Sequence, residues 1–259
     1  MNKTTTIIIG LILIISLFSI ACDKQVKSNS YEGKEIQKVI DFLCDLSQKA
    51  KDPKNAKELK KECDNIKNYL KNGKFVIRKL KGKKAWTNNV PTIFLDPSIF
   101  LPPSVNKGKG YDPSSNTKFF ELIGSLVHEK YHAEVQGRKR MLGGESTNEP
   151  PAHLHTIEFL DKILAEILKE CDFKIKQADT DINELEKCHR KLNAVLLAKK
   201  SKIRAYEENN KKGKWKGKPV PKSDRDDIDK AEKWIKEFIK KLEEERERKE
   251  KEKEKEEAK

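Results

Sequence analysis

Residues His128-Glu129-Lys130-Tyr131-His132 set two imidazoles four positions apart with a carboxylate between them. On a helix, positions i and i+4 share a face, so both rings can reach one metal ion. This spacing suits zinc. Glu129 then falls beside the ion without having to ligate it, where a base acting on a zinc-held water belongs. Four of the chain's five histidines lie in this region, as His128, His132, His153 and His155. The plainer alternative is two unrelated histidines on a solvated face. It fits poorly with the flanks: Phe119, Ile123, Leu126 and Val127 form an apolar stripe at helical spacing, and polar rings on a core-facing helix need a polar partner. Asn116 or Thr117 offers the N-cap of that helix, and Gly137 a stop signal.

The rest of the chain must position these groups. Lys3 precedes a 15-residue apolar run, Ile7 to Ala21, too short for the ~20 residues that span a bilayer. Charged start, apolar middle and small closing residues describe a secretory signal peptide over residues 1–21. Ser19-Ile20-Ala21-Cys22 resembles the lipobox of bacterial lipoproteins, in which the cysteine is lipidated; it departs from that pattern in having Ser19 where leucine is usual. Giving Cys22 to a lipid leaves an even four of the five cysteines. The chain is therefore expected to be exported and lipid-anchored to a bacterial membrane, periplasmic or at the cell surface. If Cys22 is not lipidated, a secreted soluble protein is expected.

Residues 22–32 read as a polar tether, and 33–206 as the main domain. Ile36, Val39, Leu43 and Leu46 mark one helix; Leu59, Cys63, Ile66 and Leu70 mark a second, with Asp52-Pro53 as the turn. Cys44 and Cys63 lie almost symmetrically about that turn, so a cross-hairpin disulfide is expected. Phe75-Val76-Ile77 and Thr92-Ile93-Phe94-Leu95 are β-rich runs, implying a small sheet of two or three strands. The Gly/Pro-rich loop Asn106 to Ser115 could border a cleft; Tyr111 in it reads first as an ordinary half-buried tyrosine, with donation to a reacting oxygen as the alternative.

Ile157, Leu160, Leu164, Ile167 and Cys171 predict a long amphipathic helix, and Ile182 to Leu196 another. Cys171 and Cys188 straddle the turn between them, which implies a second disulfide. Residues 207–223 read as an exposed linker and 224–259 as a charged C-terminal helix, whose seam from Ile228 to Leu242 could dock on the domain or on another chain. The fold class is thus α+β, mostly helical: a motif helix with a small sheet, flanked by stapled hairpins and a long charged tail. The net charge of +14 favours acidic surfaces, but no nucleic-acid module is visible, so no nucleic-acid partner is expected.

The segment from about Pro91 to Leu160 resembles the zincin metallopeptidases, and among them the gluzincins, whose third zinc ligand is a glutamate on a following helix. The metzincin variant would need glycine and histidine where this chain has Val135 and Arg138. Asn148-Glu149-Pro150-Pro151-Ala152-His153 matches the first two residues of the gluzincin Asn-Glu-x-x-x-Asp pattern, with His153 in place of the aspartate. The 17-residue spacing from His132 to Glu149 is a little shorter than usual in that group.

The resemblance implies a zinc-dependent peptidase acting on peptide or protein substrates. His128, His132 and Glu149 would hold Zn²⁺ and Glu129 would be general base. His153 or Tyr111 would orient a ligand or serve the oxyanion. Glu145, Glu158, His153 and His155 are rival third ligands. Pro151 disfavours helix at Pro150, so the helix is expected to begin near Pro151, just after Glu149. A strand at Thr92 to Leu95 would align an extended substrate. The competing class is a non-catalytic surface lipoprotein that binds a protein partner, its metal site structural or vestigial. An assembly role for the Ile228–Leu242 seam is a third possibility.

Overall fold

The computed structural model describes residues 23–87, 92–102, 112–136, 145–176, 181–215 and 217–257. The signal run, Cys22 and Tyr111 fall outside these residues. Helix α1 (Tyr31–Lys49) is capped by the Ser30 hydroxyl, which accepts the Gly33 N–H at 3.1 Å. Asp52 caps α2 (Pro53–Lys71), and Pro53 stands at the first helical position, where its missing N–H has no intrahelical acceptor to lose. The two helices form the expected hairpin, bridged by Cys44–Cys63 with Cα atoms 5.5 Å apart.

Residues 23–32 belong to the fold, which corrects the expectation of a tether. β1 (Lys24–Gln25) pairs antiparallel with β2 (Phe75–Ile77), Val26 is buried, and Asp23 accepts from Arg78 Nε at 2.6 Å. The partner strand is remote in sequence, so local polarity alone conceals the pairing. β4 (Ile93–Leu95) runs parallel to β2 and antiparallel to β3 (Ala85–Thr87), for a mixed sheet ordered β1-β2-β4-β3. Both flanks of β4 are therefore occupied. The expectation that Thr92 to Leu95 receives a substrate strand is corrected: among the described residues, the outer flank on that side belongs to β3.

Helix α3 (Thr117–Tyr131) carries the motif, and the Asn116 side chain accepts the Lys118 N–H at its start. Every residue from Leu122 to Lys130 is buried, so α3 is covered on all sides rather than along one stripe. The sheet covers one side and the long helices α4 (Glu145–Lys176) and α5 (Ile182–Lys211) the others. Gly124 sits at the crossing of the three helices. A Cβ there would meet Thr156 Cγ2 at 3.3 Å and Lys202 Cε at 3.4 Å.

Three further expectations change. Helix α4 begins at Glu145, not near Pro151, and contains Pro150 and Pro151. Two missing N–H groups this near the N-terminus remove at most two intrahelical bonds, and packing on α3 and α5 outweighs them. Cys171 and Cys188 are near enough to influence one another's ionisation, but they are free buried thiols, not a disulfide. Helical spacing brings two sulfurs together; closing the bond needs oxidation, which spacing does not encode.

The stretch between α5 and α6 (Lys222–Glu257) is also more than an exposed linker. Trp215 and Val220 are buried, and a Cβ at Gly217 would strike Tyr206 Oη at 2.1 Å, so glycine lets this chain segment lie against α5. Of the two dockings open to the C-terminal seam, the one on its own domain is seen: Ile228, Ala231 and Phe238 are buried, with α6 packed on α4 and α5. Among the described residues, no helix is long and apolar enough to cross a membrane.

Candidate metal centre

His128 lies in the last turn of α3, and His132 caps that helix and opens a short π-turn, His132–Gln136. Their Nε2 atoms are 3.1 Å apart with the rings edge to face. Glu149, in the second turn of α4, closes the group. Its Oε2 is 3.1 Å from His128 Nε2 and its Oε1 3.4 Å from His132 Nε2. One turn on, His153 places Nε2 3.9 Å from the same carboxylate, and its ring centroid is 4.5 Å from that of His128.

Two triads thus share the His128–Glu149 edge, one completed by His132 and one by His153; the ligand atoms of the second lie within 4.8 Å of one another. Donors about 2.0–2.2 Å from a tetrahedral zinc stand roughly 3.3–3.6 Å from each other. The His128/His132/Glu149 triangle, with edges of 3.1 to 3.4 Å, comes closer to that figure than the edge through His153.

The surroundings bias His128 and His153 towards the neutral ring and Glu149 towards the carboxylate. Burial lowers the basicity of His128, against the hydrogen bond to Glu149 that favours its charged form. Burial, then the charges of His128 and Lys202, bring His153 down to about 2. Burial pushes the Glu149 carboxyl up, but hydrogen bonds from His128 and His132 outweigh it and hold the group well below the usual carboxylate range. Neutral imidazoles and an ionised carboxylate are what a divalent cation requires.

Among the described residues, three buried atoms have no hydrogen-bond partner here: His128 Nδ1, His153 Nδ1 and Glu129 Oε2. Each such orphan costs about 1–3 kcal/mol unless a water or another polar group meets it.

The group opens onto a cleft of about 430 Å³. Glu129, His128 and Ser125 of α3 line one wall, with Trp86 of β3, Lys202 and Asn209 of α5, and Trp215 facing them. Thr87 Oγ1 donates to the Glu129 carbonyl at 3.1 Å, tying strand β3 to the motif helix. Trp215 packs on His153 with ring centroids 4.5 Å apart.

Of the other candidates, the Glu145 side chain lies outside the described residues, and Glu158 and His155 do not join the group. Glu158 is exposed and pairs with Lys162, and His155 packs on the Tyr131 ring. Sequence reasoning missed Trp86, Lys202, Asn209 and Trp215. Trp215 had one available signal, a lone tryptophan in a polar connector. Lys202 had none, in a chain with 56 basic residues. In comparisons with known proteins, no family model, curated protein or solved structure matches the chain.

Proposed function

We propose that this chain is a zinc-dependent peptidase of the gluzincin kind. The carrying observation is the triangle of His128, His132 and Glu149 beside the unpartnered, buried Oε2 of Glu129. His128, His132 and Glu149 would hold the ion. Zinc bound there would supply Lewis acidity, lowering the pKa of a water towards ~7 and polarising a peptide carbonyl.

Glu129 takes the proton released as water oxygen attacks the carbonyl carbon, then passes it to the departing amine as the C–N bond breaks. His153, neutral and beside the ligands, offers a ring N–H to the developing oxyanion. An extended substrate would add to the outer flank of β3, whose Ala85 and Trp86 line the cleft. The proposal includes export and anchoring through a lipidated Cys22, which intact mass spectrometry of detergent-extracted protein tests.

A second reading has one observation in its favour, the nearness of His153, which could complete a closed four-ligand structural site. The open cleft and the spare carboxylate of Glu129 support the catalytic reading instead. The test is zinc stoichiometry and hydrolysis of a mixed peptide library by wild type and Glu129→Gln. We expect one zinc per chain in both and a loss of about 10²–10⁴-fold in rate in the variant. A wild type that holds zinc and cleaves nothing, or a variant of equal rate, rejects the catalytic reading.

A further inference from the structure

Three lysines close together on α5, Lys199, Lys200 and Lys202, differ in how their charges are met. Lys199 is buried against Asp161 of α4, and Lys200 pairs with Glu232 of α6. Lys202 reaches the cleft instead, its Cε 3.4 Å from where a Cβ on Gly124 would stand. A side chain at Gly124 would crowd it, so the glycine one turn before His128 opens the path by which this ammonium lies across the motif helix.

Among the described residues, no carboxylate lies within ion-pair distance of Lys202. Glu121, Glu129 and Glu149 act on it only through their fields, while burial and the neighbouring Lys84 work against its charge. Glu121 is already engaged by Lys84 at 2.7 Å, Glu149 faces the histidines, and Glu129 is the proposed base. The cleft therefore holds a half-buried cation with no carboxylate partner among the described residues, in a lining that also includes Trp86 and Trp215.

We propose that Lys202 is the specificity residue of the cleft and binds a carboxylate of the substrate near the scissile bond. This rests on the peptidase reading for its meaning, though not for its test. Although its charge is felt by His128 and His153, Lys202 makes no ion pair with either carboxylate of the centre among the described residues. That suits a group reading a neighbouring substrate carboxylate better than one stabilising the oxyanion. The carboxylate could be the free C-terminus of a short peptide or an acidic side chain, and the experiment separates them.

Three probes are titrated into the zinc-loaded full chain: blocked tetra-alanine with a free C-terminal carboxylate, its C-terminal amide, and the same amide with one internal aspartate. Binding is read by tryptophan fluorescence, since Trp86 and Trp215 line the cleft. It is measured in the Glu129→Gln background so that no turnover intervenes. We expect a carboxylate-bearing probe to bind about 10- to 100-fold more tightly than the plain amide. Lys202→Met should abolish that preference without weakening the amide, and Lys202→Arg should retain most of it.

Preference for the free acid assigns the carboxylate to a chain end, and preference for the aspartate probe assigns it to a side chain. Equal binding of all three, no binding of any, or a preference that survives Lys202→Met overturns the proposal. Carboxylate-selective binding by a chain that hydrolyses nothing sinks the peptidase reading alone. Hydrolysis indifferent to substrate carboxylates sinks this inference alone.

Discussion

Lys130, inside the His-Glu-x-x-His motif, is held by two carboxylates, and removing its charge should loosen the motif helix from the stapled hairpin. Its Nζ is 2.8 Å from Glu62 on α2 and 3.0 Å from Glu134, with side-chain exposures of 5%, 7% and 35% respectively. Lys130→Met leaves Glu62 buried with no cation, at a cost of about 3–5 kcal/mol. Glu134 is exposed enough to turn to water at little cost. Glu62→Gln should cost less, about 1–2 kcal/mol, because Lys130 keeps Glu134 and a neutral acceptor remains in place. At roughly 2–4 °C per kcal/mol for a chain of this size, Lys130→Met should lower Tm by about 6–20 °C. The double variant Lys130→Met with Glu62→Leu should recover most of the loss, since no orphaned charge remains.

The pH dependence adds a second check. Burial raises the Glu62 carboxyl above 4.5, against Lys130, which favours its charged form. Without Lys130 it rises further. A carboxyl whose folded pKa is raised contributes stability below its unfolded value and loses it as pH climbs through the folded one. The deficit of Lys130→Met should therefore shrink on acidification from neutral pH towards about 4.5. Thermal and urea unfolding with chelator present, so that metal adds nothing, measures both effects. A Glu62→Gln variant less stable than Lys130→Met, or a deficit that does not change with pH, would refute the reasoning.

Other outcomes follow from the same geometry. Glu149→Ala should weaken zinc, measured by chelator competition, by more than about 100-fold, whereas His153→Ala should cost about 10- to 100-fold or less; the reverse order would assign the third ligand to His153. Alkylation and peptide mapping under non-reducing conditions should find Cys44 linked to Cys63, with Cys171 and Cys188 alkylated; a 171–188 crosslinked peptide would contradict the thiol pair. Burial holds His153 well below 6.5, so its neutral form stabilises the fold above that pH and the contribution fades as pH falls towards about 2. His153→Gln should accordingly flatten the acid side of the metal-free Tm profile, and an unchanged slope would show that His153 is not held neutral.

Features that depend on neighbours along the chain were legible before any coordinates. The four-residue step from His128 to His132 has one geometric consequence on a helix. Asp52-Pro53 both ends one helix and starts the next, so Cys44 and Cys63 had to meet across the hairpin. The apolar spacing around Ile157 to Cys171 likewise carried α4, because periodicity is a local property of an amphipathic helix.

What the sequence by itself left open depended on which surfaces meet. The Asn-Glu resemblance favoured Glu149, with Glu145, Glu158, His153 and His155 as rival ligands; the packing of α4 on α3 turned Glu149 onto the two imidazoles, left Glu158 on the outside and set His155 against Tyr131. The placing of β4 between β2 and β3, the strand made by the supposed tether, and the burial of Trp215 rest on contacts between residues far apart in the chain. Lys202 is the sharpest case. One lysine among many becomes distinctive only when the fold brings it over Gly124 into a cleft where its neighbours on α5 have carboxylate partners and it has none among the described residues, because the cost of an unpaired charge depends on its surroundings rather than on its identity.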